Sequence, residues 1–139
     1  MRTILTGLAT FGACNAARWY LDRSSRTDET FIGGHVKLTK LWNEGAAFNL
    51  KISREVLMSL SGAVLGTVWT QRKRFPVGAG LVLGGGLSNL MERVLYGKVY
   101  DYVRFPKAPS KLKKYVFNLA DFAILTGGIA FLTSKKGRR

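Results

Sequence analysis

The grouping of the apolar residues constrains this chain more than any other feature. Four apolar segments run from about Ile4 to Leu21, Val56 to Thr70, Val77 to Tyr96 and Tyr115 to Thr133, with polar or basic stretches between them. Inside a bilayer the backbone must satisfy its own hydrogen bonds, which leaves helices and closed barrels. A spanning helix needs roughly 20 predominantly apolar residues. The third and fourth segments meet that length. The first is interrupted by Asn15 and Arg18, and the second is short enough that it must borrow flanking residues or thin the bilayer. The expected architecture is an all-α membrane protein of four transmembrane helices, one integral membrane domain over residues 1–139.

The charge pattern orients that arrangement. The formal net charge is +14, which fits nucleic acid, anionic lipid or cytoplasmic loops equally well until the charges are placed. Arg2, the Gln71–Arg74 cluster and the Ser134–Arg139 tail all fall on one side of a four-span chain, and the positive-inside rule makes that side cytoplasmic. The Gly97–Lys114 loop, placed outside, runs against the rule with Lys98, Arg104, Lys107, Lys111, Lys113 and Lys114. Residues from about 22 to 54 mix polar with short alternating apolar residues, as in His35–Trp42, and read as a small extracytoplasmic β region turning at Gly33–Gly34. Trp19, Trp42 and Trp69 fall near the expected membrane boundaries, where tryptophan commonly anchors. A basic tail beside an apolar segment faces anionic lipid, so no nucleic-acid partner is expected. The rival, a soluble basic protein that binds nucleic acid, would not need detergent.

One cysteine, Cys14, and one histidine, His35, exclude an internal disulfide, a thiolate cluster and a histidine-rich metal site. Any catalysis therefore rests on the 8 carboxylates. The third segment holds Gly78, Gly80, Gly84, Gly85 and Gly86, which flatten one flank of the helix for close packing and contain a GxxxG step. The same helix carries Asn89, Glu92 and Arg93 at i, i+3 and i+4, hence on one face. An acid and a base in an apolar helix usually face a functional interior, although a snorkelling pair at the interface is the plainer reading. Asp101 follows just beyond the outer end of this helix. Asp121 is expected about two turns into the fourth helix, with Asn118 on the same face. Four spans bring these two aspartates to one side of the membrane. Close carboxylates cannot easily both ionise and tend to share a proton, as aspartic proteases use them. Taken singly, each aspartate is more often a cap or half of an ion pair.

Four motifs in this order resemble those of the lipoprotein signal peptidase (signal peptidase II) family. Asn43–Phe48 resembles its N-x-G-A-A-F motif, and Gly84–Arg93 (GGGLSNLMER) its glycine-rich stretch ending in N-x-x-D-R. Gly97–Tyr102 is similar to its G-x-V-x-D-F motif, and Phe117–Asp121 to its F-N-x-A-D motif. The resemblance implies Asp101 and Asp121 as the catalytic pair. It implies Asn89, Arg93 and Asn118 as supports of the site, with Glu92 at the motif's acidic position, and Asn43 as a substrate contact from the outer stranded region. The implied activity is that of a membrane aspartic endopeptidase. It would remove signal peptides from diacylglyceryl-modified prolipoproteins at the outer leaflet of the bacterial cytoplasmic membrane, with the prolipoprotein and membrane lipids as partners and no metal or organic cofactor.

Two departures from the family pattern are visible. Glu92 stands where the family has aspartate, and Cys14–Arg18 stands where the first helix usually reads D-x-x-T-K, losing the acid and exchanging lysine for arginine. These put the polar contacts of the first helix in question and leave, as an alternative, a non-catalytic member that binds lipidated peptides. Neither departure touches the two aspartates. Phe11–Cys14 also has a lipobox flavour, but the apolar run continues past Cys14.

Overall fold

The computed structural model describes residues 1–26, 28–45 and 50–134. Ala46, Ala47 and Phe48 of the first motif and Lys135–Arg139 of the basic tail lie outside these residues. The chain forms α1 (Arg2–Arg23), β1 (Thr30–Phe31), β2 (Val36–Asn43), α2 (Arg54–Gln71), α3 (Pro76–Tyr96), β3 (Val99–Arg104), a short 3-10 turn, β4 (Val116–Phe117) and α4 (Leu119–Thr133). The four helices match the four apolar segments to within a few residues. The fourth is the exception, because Asn118 caps it and Tyr115–Phe117 are spent on the turn and β4.

Local chemistry sets the helix ends. Ser53 caps α2 by accepting a hydrogen bond from the Val56 amide at 3.3 Å. Pro76 opens α3, and Gly97 closes it at φ 71°, a left-handed conformation that costs glycine little. Arg54, from the start of α2, donates to the Arg93 and Val94 carbonyls at the end of α3, at 2.9 and 3.2 Å. Lys40 of β2 does the same for α1, donating to the Asp22 and Ser24 carbonyls at 2.9 and 3.2 Å. The orphan carbonyls at two helix ends thereby tie the helices to each other and to the sheet.

Helix α3 is central, and its glycines explain how. A Cβ on Gly80 would sit 2.6 Å from Thr6 Cβ, and one on Gly84 would sit 2.5 Å from the Gly7 carbonyl oxygen, both on α1. A Cβ on Gly85 would approach the Ala120 carbonyl oxygen to 2.8 Å, and one on Gly78 the Ala130 Cβ to 3.1 Å, both on α4. The expected single flat flank is therefore corrected to three, since a Cβ on Gly86 would lie 2.6 Å from Leu65 Cδ2 of α2. At about 100° per residue, Gly80 and Gly84 share one side of the helix and Gly78 and Gly85 another.

The sheet is a four-stranded antiparallel meander in the order β1-β2-β3-β4. Its first half lies where the alternation placed it, with the turn at Gly33–Gly34, both at positive φ. Its second half comes from residues 97–118, which the sequence left as a loop carrying Asp101. The strand β3 is the buried one: Val99, Tyr100, Asp101 and Tyr102 are all covered. Trp42 is a sheet residue too, its ring 5.1 Å from that of Tyr100 and 5.8 Å from that of Tyr96.

No helix among the described residues is long and apolar enough to cross a membrane. Helix α4 has 15 residues, and α3 gives many positions to glycine, Ser88, Asn89, Glu92 and Arg93. The distribution of polarity is nevertheless inverted. Ser88, Glu92, Asp101 and Asn118 are buried, whereas Leu8, Leu125 and Leu132 are 65%, 62% and 81% exposed.

Candidate active site

The site is assembled around Asn118, the cap of α4. Its backbone N–H donates to Asp121 Oδ2 at 2.9 Å, and its own Oδ1 accepts from the Asp121 amide at 3.0 Å. This reciprocal capping box satisfies two amide donors at the helix start. It also puts Asp121 in the first turn, which corrects the expected depth of two turns. The Asn118 side chain then turns outward. Its Nδ2 donates to Asp101 Oδ1 at 2.9 Å and to Asn89 Oδ1 at 3.1 Å, which uses both hydrogens of the amide. One asparagine thus holds both aspartates, and the peptide units on which they sit are fixed relative to each other.

Three neighbours complete the frame. Asn89 of α3 donates to Asp121 Oδ1 at 3.4 Å. Asn43, at the end of β2, donates to Asp101 Oδ2 at 3.2 Å and accepts from the Gly45 amide at 2.9 Å. It pairs with Val99, two residues from Asp101 along β3, so the two side chains share a sheet face. Tyr102 Oη accepts from the Leu119 amide at 2.9 Å, adding a second anchor between β3 and the start of α4. Asp101 is 4% exposed and Asp121 less deeply covered. Burial, reinforced by the negative charge of Asp121, pushes the Asp101 carboxyl up to about 7, against the opposing amides of Asn43 and Asn118 and the charge of Arg93.

Asn89, Glu92 and Arg93 do lie together on α3, but their side chains diverge. Asn89 reaches Asp121 and Asn118. Glu92 is 3% exposed, not snorkelling; its Oε2 accepts from the Tyr100 amide at 2.8 Å and its Oε1 lies 3.3 Å from Arg18 Nε. Arg93 donates to the Gly45 carbonyl at 3.1 Å. The polar contacts of the first helix, in question from its departures, are present: Asn15 Nδ2 is 3.4 Å from Ser88 Oγ, and Arg18 meets Glu92. Arg18 and Tyr102 escaped the sequence reading. Arg18 leaves a signal as a cation inside an apolar segment, and Tyr102 one as the aromatic end of the Gly97–Tyr102 motif.

The model of the Signal peptidase (SPase) II family matches residues 8–135. The chain belongs to the signal peptidase II family. Among its relatives, the lipoprotein signal peptidase of Syntrophomonas wolfei is 38% identical over 121 residues, covering 81% of this chain and 74% of that protein. That of Nitrobacter hamburgensis is 36% identical over 107 residues, covering 68% of this chain and 65% of its own length. That of Pelotomaculum thermopropionicum is 42% identical, covering 68% and 62%. The chain therefore spans a little under two thirds of the length of some of these relatives. A structure described as a bacterial membrane enzyme, solved by the in meso method at 2.3 Å, shares the fold with a TM-score of 0.79 at 19% identity, over 99% of this chain and 93% of that one. In this member of the signal peptidase II family each of the four motifs contributes at least one residue to a single cluster. Asn43, Asn89, Asp101, Asn118 and Asp121 form one connected hydrogen-bonded set drawn from β2, α3, β3 and α4.

Proposed function

We propose that the protein is an aspartic endopeptidase that removes signal peptides from diacylglyceryl-modified prolipoproteins, with Asp101 and Asp121 as the catalytic pair. The observation that carries this reading is the single asparagine, Asn118, bonded to both carboxylates. Asp121, the more open of the two, takes a proton from a water as its oxygen attacks the scissile carbonyl carbon. Asp101, whose carboxyl stays protonated to about pH 7, gives its proton to the carbonyl oxygen. The resulting gem-diol collapses as the C–N bond breaks. The leaving nitrogen takes the proton held by Asp121, and a diol hydroxyl returns one to Asp101. We assign Asn43, Arg93 and Gly45 to the rim over which the substrate enters. Glu92 and Asn89 are supporting groups. A non-catalytic role has nothing in its favour, since the departures at Cys14 and Glu92 leave both aspartates and their amide partners in place.

The test is incubation with a diacylglyceryl-modified prolipoprotein and detection of the released peptide. Because the acid must be protonated, kcat is expected to decline as pH rises through about 7, and to fall again at the acid end where the base is lost. A rate that climbs steadily from pH 6 to pH 9 would remove Asp101 from the acid role.

We place the protein in the bacterial cytoplasmic membrane as a multi-pass chain working at the outer leaflet. What supports this is the inverted polarity, with leucines outward on α1 and α4 and carboxylates and amides inward. Such outer faces suit lipid and the acyl chains of the substrate. Alkaline carbonate washing should leave the protein in the pellet. Release into the supernatant would end the membrane placement.

A further inference from the structure

Asn118 and Tyr102 hold the strand of Asp101 against the start of α4, and a separate contact ties it to α3 and α1. Between Tyr96, the last residue of α3, and Val99, the first of β3, the chain turns on Gly97 and Lys98. A flexible turn so near Asp101 would let the carboxyl drift. The buried Glu92 carboxylate closes this gap. Its Oε2 accepts from the amide of Tyr100, the residue before Asp101, at 2.8 Å, and its Oε1 faces Arg18 Nε at 3.3 Å across the helix interface. The Arg18 contact is an ion pair without hydrogen-bond alignment. Arg18 is itself held, with Asn15 Oδ1 at 3.5 Å and the Tyr96 ring 5.5 Å below its guanidinium.

A carboxylate this deeply buried is costly unless it is paired and hydrogen-bonded. Glu92 is both. One oxygen meets a cation from α1 and the other meets the backbone of β3, so three elements converge on a single side chain. We infer that Arg18 and Glu92 act as a positioning pair, in which Arg18 fixes the Glu92 carboxylate and Glu92 clamps the Val99–Tyr100 peptide unit, one residue before Asp101, and with it the start of the strand that carries Asp101 into the site. Neither residue touches the substrate. This rests on the proposed roles of Asp101 and Asp121. It adds to them that the first helix, far from the chemistry in sequence, sets the placement of the acid.

The test is a double-mutant cycle of Arg18→Met, Glu92→Gln and their combination, with kcat and KM measured per folded molecule on the lipidated prolipoprotein. Misplacing a reacting group by about 1 Å can cost about 10²-fold in rate. Each single change is therefore expected to lower kcat by roughly 10- to 10²-fold, with KM changed by no more than about twofold. The combined variant buries no unpaired charge and should fold, and its kcat should be no lower than that of the worse single. Arg18→Lys, which restores a cation opposite Glu92, should recover most of the rate. Independent, multiplying losses in the cycle would overturn the pairing, as would a lowered melting temperature with kcat unchanged. So would a loss carried by KM. An Asp101→Asn arm in the same assay separates the two claims. If that variant cleaves normally the dyad fails, whereas if it is dead and Arg18→Met is unimpaired, the positioning pair alone fails.

Discussion

Asp101→Asn and Asp121→Asn should each lower turnover by roughly 10⁴-fold or more, and the double variant should be scarcely worse than either. Each carboxylate supplies a function the other cannot, since one must accept the proton of water while the other donates to the carbonyl. Removing either leaves no acid–base pair, so the losses do not add. The structure makes this a clean experiment. Asparagine has nearly the same shape, and at position 101 it stays neutral at the pH where burial already disfavours the ionised acid. Asn118 can still donate to the new carbonyl oxygen, although Asn43 must reorient its amide. Thermal unfolding in detergent should therefore stay close to that of the parent, and lost cleavage can be read as lost chemistry. Glu92→Gln should do far less harm than either aspartate change. Near-normal cleavage by Asp101→Asn, with cleavage abolished in Glu92→Gln, would transfer the assignment to Glu92 and Asp121.

The largest effect on stability is expected at Gly84 and Gly127. A Cβ at Gly84 would lie 2.5 Å from the Gly7 carbonyl oxygen and 2.7 Å from Thr10 Cβ. One at Gly127 would lie 2.5 Å from the Gly78 carbonyl oxygen. The obstructing oxygens belong to helix backbones, which cannot yield as a flexible side chain can, so even alanine forces α3 away from α1 or α4. Overpacking of this kind typically costs about 1–3 kcal/mol, occasionally more, and separation of the helices would also disturb Asn89 and Asn118. Gly128, the next residue on α4, is the control, because a Cβ there meets nothing within 4 Å. Gly128→Ala should be neutral or stabilising by up to about 1 kcal/mol through helix propensity alone. Equal melting of Gly84→Ala, Gly127→Ala and Gly128→Ala would show that the close helix approach does not govern stability.

Legibility differed from residue to residue for physical reasons. Asn89, Glu92 and Arg93 could be placed on one helix face because helical spacing is local. That their side chains part ways, to Asp121, to Tyr100 and to Gly45, depends on which neighbour each one meets. The glycines of α3 announced close packing, but composition could not reveal that α1 and α4 approach different flanks and that Leu65 of α2 lies against a third. Asp121 was read about one turn too deep because apolar character begins at Tyr115, while the helix begins only where the capping box lets it.

The sequence by itself determined the four helices, the first hairpin, the motifs that mark the family and the two aspartates worth testing. The helices and the hairpin follow from apolar run length and alternation, which are properties of neighbouring residues, whereas the motifs and the two aspartates follow from the resemblance to the family. Only the tertiary structure decided that Asp101 lies on a buried strand, that Asn118 joins it to Asp121, that Asn43 reaches it from 58 positions away, and that Arg18 and Glu92 meet across the first helix. Those contacts depend on sheet register and on how closely glycine lets helices cross. Both are settled by the packing of the whole chain, and neither leaves a periodic trace in the sequence.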